Sequence, residues 1–366
     1  MILILLFIIV ASLSSIYEEI TLFSFFGILL RPFRILFTLL AGYFLVLRTS
    51  KKNKTNYTQI VVELVFYSIL FHAIIMALQM HNPAFKDFIY SYTTTGEYRS
   101  TFEYDFRMGG LTGTSGGAIL SIIQSFGVIL TPFLIKYNTS KIKKLFFLMS
   151  SLLILYSVLI CGRSGIWNIL IFLPIAVMLN DKKNGIKKVL YLFLTCFFLI
   201  LCFYFISNLL PELEGSSPLF YSFNRNLDTF LKVSQGQGFE DRTIEVLKSH
   251  ILIPNDFRTL LIGNPEHLVK TGFKRTLNSD IGYIRNLWSF GIFGTIVFLL
   301  PAYRYLIKSF KSIKYSNSAK LLFIVSASMF LFHAKEGLMY TRMLLSIYSI
   351  FLALFYFEYK LAKNQN

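Results

Sequence analysis

Three charged residues in glycine-containing motifs are candidates for chemistry. Arg163 lies in the sequence CGRSG, Arg242 ends the sequence GFEDR, and Asp280 lies in NSDIGY. A guanidinium group offers a planar fork of donors to phosphate oxygens, and its charge does not depend on pH. A carboxylate can take a proton from a hydroxyl group, such as that of a sugar. These residue types together suit contacts to phosphate groups and the removal of a proton from a hydroxyl.

Each of the three also has an ordinary structural interpretation. Arg163 can be a boundary arginine that extends its charge to the water in a tight Gly/Ser turn. Arg242 can lie on the solvated face of a helix. Asp280 can be the N-cap of the helix that follows it.

Further charged residues lie in segments predicted on the same side of the membrane. They can supply anion contacts, an acid or a base, or they can be parts of ordinary charged turns. They are Arg99, Arg107, His333, Lys335 and Arg342.

The elements that must position these residues are apolar helices. The 366 residues are 55% apolar and only 15% charged, with 39 Phe and 21 Tyr, which excludes a soluble globular fold. The apolar runs are long enough to cross the hydrocarbon core of a bilayer as helices. We therefore predict an all-α polytopic membrane protein with about ten spans, near 1–16, 31–48, 57–80, 114–135, 145–161, 165–180, 189–209, 286–306, 319–333 and 341–358.

The net charge of +17 is distributed as the positive-inside rule expects. If the N-terminus is cytoplasmic, the short inside segments carry 19 of the 36 basic residues and almost no acids, so nucleic acid is not needed to explain the charge. We predict that both termini are cytoplasmic and that the first span is uncleaved. Residues 20–30 are interpreted as an interfacial helix.

The outside segments are longer than simple connections require. We divide the chain into spans one to seven with an outer loop at 81–113 (residues 1–209), a large helical outer loop (210–285), and spans eight to ten with a cytoplasmic tail (286–366). In the large loop, Ile244, Leu247 and Ile251 are spaced for one face of an amphipathic helix. Within the third predicted span, His72 is interpreted as a hydrogen-bonding residue between helices. Chemistry or recognition is expected outside.

Several classes of site have no motif here. The sequence has no Walker A lysine motif, no HExxH and no DxD-like acidic pair, and its three cysteines all lie in apolar runs. We therefore expect no metal and no cofactor. The absence of an internal repeat disfavours a secondary transporter.

The order of the motifs resembles the O-antigen polymerase and O-antigen ligase superfamily of integral membrane glycosyltransferases. The stretch 162–165 resembles the Ser/Arg/Gly turn of that family, and Arg242 followed by 261–263 resembles the arginine-to-glycine stretch of its large periplasmic loop. The segments 280–283 and 291–294 resemble the start of the next helix. The likeness covers roughly residues 100–300.

The resemblance implies a GT-C-like fold in the bacterial cytoplasmic (inner) membrane, acting at the outer leaflet on an undecaprenyl-diphosphate-linked oligosaccharide, without a metal. Arg163 and Arg242 would bind the diphosphate, and Asp280 would stand at the position of the catalytic base. Ligases of the family carry His-Asn where this chain has Ser279-Asp280, which favours a polymerase that joins repeat units, with a chain-length regulator protein as a further partner. The alternatives are a ligase that transfers glycan to lipid A core and a flippase for lipid-linked oligosaccharide.

Overall fold

The computed structural model describes residues 22–53, 55–93, 108–112, 117–181, 184, 186, 187, 189, 190, 248–264, 270, 271, 274, 275, 277 and 279–364. The predicted span 1–16 and most of the span 189–209 lie outside these residues. The regular secondary structure of the described part is helical apart from a two-residue antiparallel pair, β1 (Lys270–Thr271) with β2 (Lys274–Arg275).

Apolar helices dominate the described part of the chain. Seven of them are long and apolar enough to cross a membrane, and an eighth, α9, is apolar but shorter. The α-helices are α1 (Leu22–Lys52), α2 (Tyr57–His81), α3 (Pro83–Tyr92), α4 (Ala118–Tyr137), α5 (Lys141–Cys161), α6 (Arg163–Asn180), α7 (Phe257–Ile262), α8 (Gly282–Ser312), α9 (Asn317–His333) and α10 (Arg342–Asn364), and a short 3₁₀ turn covers Leu338–Tyr340. The expectation of an α-helical polytopic membrane protein is confirmed.

Two helical predictions need correction. Residues 22–30, predicted as a separate interfacial helix, are continuous with α1, which passes through Pro32. An apolar segment satisfies its backbone best by staying helical, and Pro32 removes only one hydrogen bond. Ile251 is not part of a helix: the helical residues 248 and 249 are followed by a turn at His250, and Ile251 is 53% exposed.

The chain divides into two compact units, residues 58–239 and residues 1–57 with 240–366. In the 58–239 unit, α4 and α6 run parallel to each other. Near their N-terminal ends the amide of Gly165 donates to Ser121 Oγ (2.9 Å), and near their C-terminal ends Asn180 Nδ2 donates to the Pro132 carbonyl (2.7 Å). A Cβ at Gly165 would collide with the backbone of Ser121, so the glycine permits this close approach.

The turn 108–112 is fixed to the same unit by side chains of α2 and α3. The amide group of Gln79 donates to and accepts from Gly110 (3.2 and 2.9 Å), and the Leu111 amide donates to His72 Nε2 (3.1 Å). His72 Nδ1 lies 2.5 Å from Gln124 Nε2 on α4. The interpretation of His72 as a hydrogen-bonding residue between helices is confirmed.

The second unit combines α1 with the C-terminal helices. Helices α1 and α10 cross at Gly42, where a Cβ would meet the side chain and backbone of Ser349. Helix α8 packs on α9, and α9 packs on α10. Small residues at such a crossing let the two backbones approach closely.

Helix α8 bends sharply at Gly291, whose backbone has φ 62° and ψ −173°. Tyr283 donates its hydroxyl to the Phe330 carbonyl (2.8 Å), and the Tyr303 ring lies 6.3 Å from the Phe330 ring. In a straight helix the Cα atoms of Tyr283 and Tyr303 would be about 30 Å apart and could not both reach one residue. The bend therefore brings the first arm of α8, residues 282–290, to the C-terminal end of α9.

Candidate functional site

Asp280 lies directly before α8, and its position is fixed by its backbone. The Asp280 amide donates to His250 Nδ1 (3.2 Å), and the neighbouring Ser279 hydroxyl donates to the His250 carbonyl (2.8 Å). The Asp280 side chain is 50% exposed, while that of His250 is 16% exposed. The backbone of Asp280 is thus fixed while its carboxylate remains half-exposed.

The Asp280 carboxylate also faces the His250 ring. Asp280 Oδ2 lies 3.9 Å from His250 Nδ1. Because that nitrogen accepts the Asp280 amide, the proton of the neutral ring belongs on Nε2. The 3.9 Å contact is therefore not an ion pair in this arrangement.

Asp280 does not cap α8. The N-cap residue is Ile281, whose side chain makes no cap hydrogen bond. The interpretation of Asp280 as the N-cap is therefore wrong, because α8 begins at Gly282 and its N-cap position is one residue after Asp280.

The segment that carries His250 is attached to α8 by further hydrogen bonds. Trp288 Nε1 donates to the Leu252 carbonyl (2.7 Å), and the Asn264 amide donates to the Trp288 carbonyl (2.6 Å). A Cβ at Gly263 or at Gly291 would collide with the backbone of the other segment. Two glycines thus allow the backbones to meet at the bend of α8.

Between these attachments, Asp256 caps α7. Its carboxylate accepts hydrogen bonds from the amides of Thr259 (2.7 Å) and Arg258 (3.3 Å). The hydrogen bond from the Thr259 amide is the main cause that lowers the pKa of Asp256 below its usual value.

His333 is brought to the same turn as Asp280. Its fully buried ring packs edge-on against Tyr283 (4.7 Å between centroids), and its Nε2 lies 3.2 Å from Asn286 Nδ2. A Cβ at Gly282, two residues after Asp280, would collide with this ring. Lys335 is partly buried beyond the end of α9, and Arg342 is exposed at the first residue of α10.

Arg163 belongs to the 58–239 unit, where it is the half-buried first residue of α6. Because α4 and α6 are parallel, their N-terminal ends lie side by side, and a Cβ at Gly162 would be 3.3 Å from the Gly117 carbonyl carbon. Each helix N-terminus carries a partial positive charge. Arg163 therefore stands where two such ends and a guanidinium favour an anion.

The remaining predicted residues, Arg99, Arg107 and Arg242, lie outside the described residues. His250 and Asn286 are not among the residues predicted from the sequence. His250 could have been singled out because the chain contains only five histidines. Its pairing with Asp280, 30 residues away, has no signal in the local sequence.

Within the described ranges, no group of three or more His, Cys, Asp or Glu side chains is arranged to hold a metal ion. No known protein family, curated protein or solved structure matches this chain.

Proposed function

We propose that this chain is a membrane glycosyltransferase that joins lipid-diphosphate-linked oligosaccharide repeats into a surface polysaccharide. The observation that carries the proposal is the half-exposed carboxylate of Asp280, a residue whose backbone amide donates to His250 just before an apolar helix. A base at this boundary can meet an acceptor hydroxyl while the donor stays anchored in the bilayer.

The proposed reaction needs one base and a stabilised leaving group. The acceptor hydroxyl oxygen attacks the anomeric carbon and gives its proton to Asp280. The bond from that carbon to the diphosphate oxygen breaks, and the oxygen leaves with the electron pair. Fixed positive charges stabilise the diphosphate as its charge grows. The assignment of Arg163 and Arg242 to this role rests on the family resemblance alone.

The experiment is complementation of a strain deleted for this chain. The surface polysaccharide and the lipid-linked pool are analysed together in strains that produce wild-type chain, Asp280→Asn or Asp256→Asn. Asp256 is a matched control, because an asparagine there can still cap α7. We expect Asp280→Asn to leave only single repeats on lipid or on lipid A core, and Asp256→Asn to make polymer at wild-type membrane levels of protein. Wild-type polymer from Asp280→Asn would overturn the assignment of the base.

The bend of α8 favours one competing function, a flippase, because transporters use broken helices at their substrate sites. Single repeats trapped on the inner leaflet of the deleted strain would identify a flippase. Long lipid-linked polymer with uncapped lipid A core would identify a ligase. Either result would overturn the polymerase proposal.

A further inference from the structure

A row of basic residues runs along one face of α8, near its C-terminal end. Arg304, Lys308 and Lys311 are spaced by four and three residues, which places them on the same face of the helix. Arg304 and Lys311 are exposed, and Lys308 is half-buried. Like charges at this spacing repel one another, and within the described residues no carboxylate forms an ion pair with any of the three. An external anion bound beside the row would reduce this repulsion.

Helix α10 completes the surface. Lys308 Nζ lies 4.0 Å from the centroid of the Tyr359 ring, a cation–π contact that joins the two helix faces. Tyr359 is 48% exposed, and the next residue, Lys360, is exposed. We call Arg304, Lys308, Lys311, Tyr359 and Lys360 the basic surface.

The carboxylate of Glu358, the residue before Tyr359, already accepts hydrogen bonds. Glu358 Oε2 accepts hydrogen bonds from the hydroxyls of Ser316 (2.5 Å) and Ser318 (2.8 Å). These bonds tie the carboxylate to the start of α9, where it acts as an acceptor for two serines.

Exposed apolar side chains lie directly beside the basic row. Tyr303, Ile307 and Phe310, each one residue before a basic residue, are 51%, 37% and 61% exposed. They belong to a helix that is apolar and long enough to cross a membrane. Cations that border an exposed apolar face of such a helix lie where hydrocarbon gives way to headgroups. The fitting anion is therefore part of a lipid rather than a soluble molecule.

We propose that the basic surface binds the phosphate headgroup of an anionic phospholipid. Arg304, Lys308 and Lys311 contact the phosphate, and the apolar row packs on the acyl chains. Lys360 adds charge from α10, and Tyr359 positions Lys308. This site does not depend on the proposed enzymatic activity.

The test is native mass spectrometry of the full chain, purified in detergent and offered equal amounts of phosphatidylglycerol and phosphatidylcholine. The variant Arg304→Gln/Lys308→Gln/Lys311→Gln is compared with Lys141→Gln/Lys143→Gln/Lys144→Gln. The second variant removes three basic residues at the start of α5 and serves as a matched control. Each cation near an anionic headgroup changes binding roughly fivefold, so we expect the α8 variant to bind phosphatidylglycerol on the order of 100-fold more weakly. The control should bind like wild type.

Equal losses in both variants would show unspecific attraction to charge and would overturn the site. So would unchanged binding by the α8 variant, or displacement of the lipid by soluble glycerol phosphate at the same concentration. If the triple variant does not fold, Arg304→Gln and Lys311→Gln are tested singly, because both side chains are exposed. Each should then weaken phosphatidylglycerol binding about fivefold.

Discussion

Among single residues, Asp280 depends on His250 for the position of its backbone. The replacement His250→Asn keeps an acceptor oxygen near the position of Nδ1, whereas His250→Leu fills similar space without an acceptor. Losing one such hydrogen bond costs about 1.4 kcal/mol, so we expect His250→Leu to lower polymer yield about tenfold and His250→Asn to retain most of it. Polymer yield per amount of membrane-bound protein checks this.

The two His250 variants control for each other. Trp288 donates to Leu252 close to the replaced side chain, so unchanged Trp288 fluorescence in both variants, measured with Trp167 replaced by Phe, shows that this region is still folded. Equal polymer yields from the leucine and asparagine variants would mean that the hydrogen bond does not position Asp280.

Between elements, the contact of α7 with α8 depends on Gly291. An alanine there would have to adopt φ 62°, and its Cβ would meet the backbone of Leu261 and Ile262, which cannot move aside as a side chain can. We expect Gly291→Ala to lower the free energy of unfolding by about 2–4 kcal/mol. The unfolding midpoint in detergent measures this change. Phe293→Ala, at a 59% exposed position in the same helix, is the control and should unfold near the wild-type midpoint.

The contact of α7 with α8 should also weaken at low pH, because the carboxylate of Asp256 caps α7. A carboxyl group whose pKa is lower in the folded than in the unfolded chain stabilises the fold above its unfolded pKa, here 3.8. That stabilisation is lost as the pH falls through the lower, folded pKa. In a Trp167→Phe background, which leaves only Trp288 of the two tryptophans, we expect the Trp288 emission to shift to longer wavelength as the pH falls below 3.8.

The control for this acid response is Asp256→Ala in the same background. Its emission should already be shifted at neutral pH and should respond less to acid, because it has no carboxylate to protonate. An identical acid response with and without Asp256 would assign the effect to another group.

For the whole molecule, the distribution of basic residues predicts the orientation in the membrane. Tyr315 lies at 87% exposure between α8 and α9, a segment predicted to be cytoplasmic. Phe257 is 72% exposed in α7, which is predicted to be outside. In a chain without its native cysteines, we expect Phe257→Cys to react with a membrane-impermeant maleimide in intact cells and Tyr315→Cys to react only after permeabilisation. The reverse pattern would refute the positive-inside prediction.

The sequence by itself determined the positions of the helices, because the length of an apolar run can be compared directly with the thickness of the bilayer. Helices are found where the spans near 57–80, 145–161 and 341–358 were predicted. The sequence also singled out Asp280 and His333 as candidates, since ionisable residues at the ends of apolar runs are conspicuous.

Only the tertiary structure decided which partners these residues have. His250 reaches Asp280 from 30 residues away, and His333 reaches Asn286 from 47 residues away. Such pairs depend on the path of the chain between them, which apolar periodicity does not encode. Gly291 shows the same limit, because a glycine permits a positive φ without requiring one. Gly291 adopts the positive φ where its backbone closely approaches Gly263, and helix α8 bends at this point. The bend places the turn that contains Asp280 against His333.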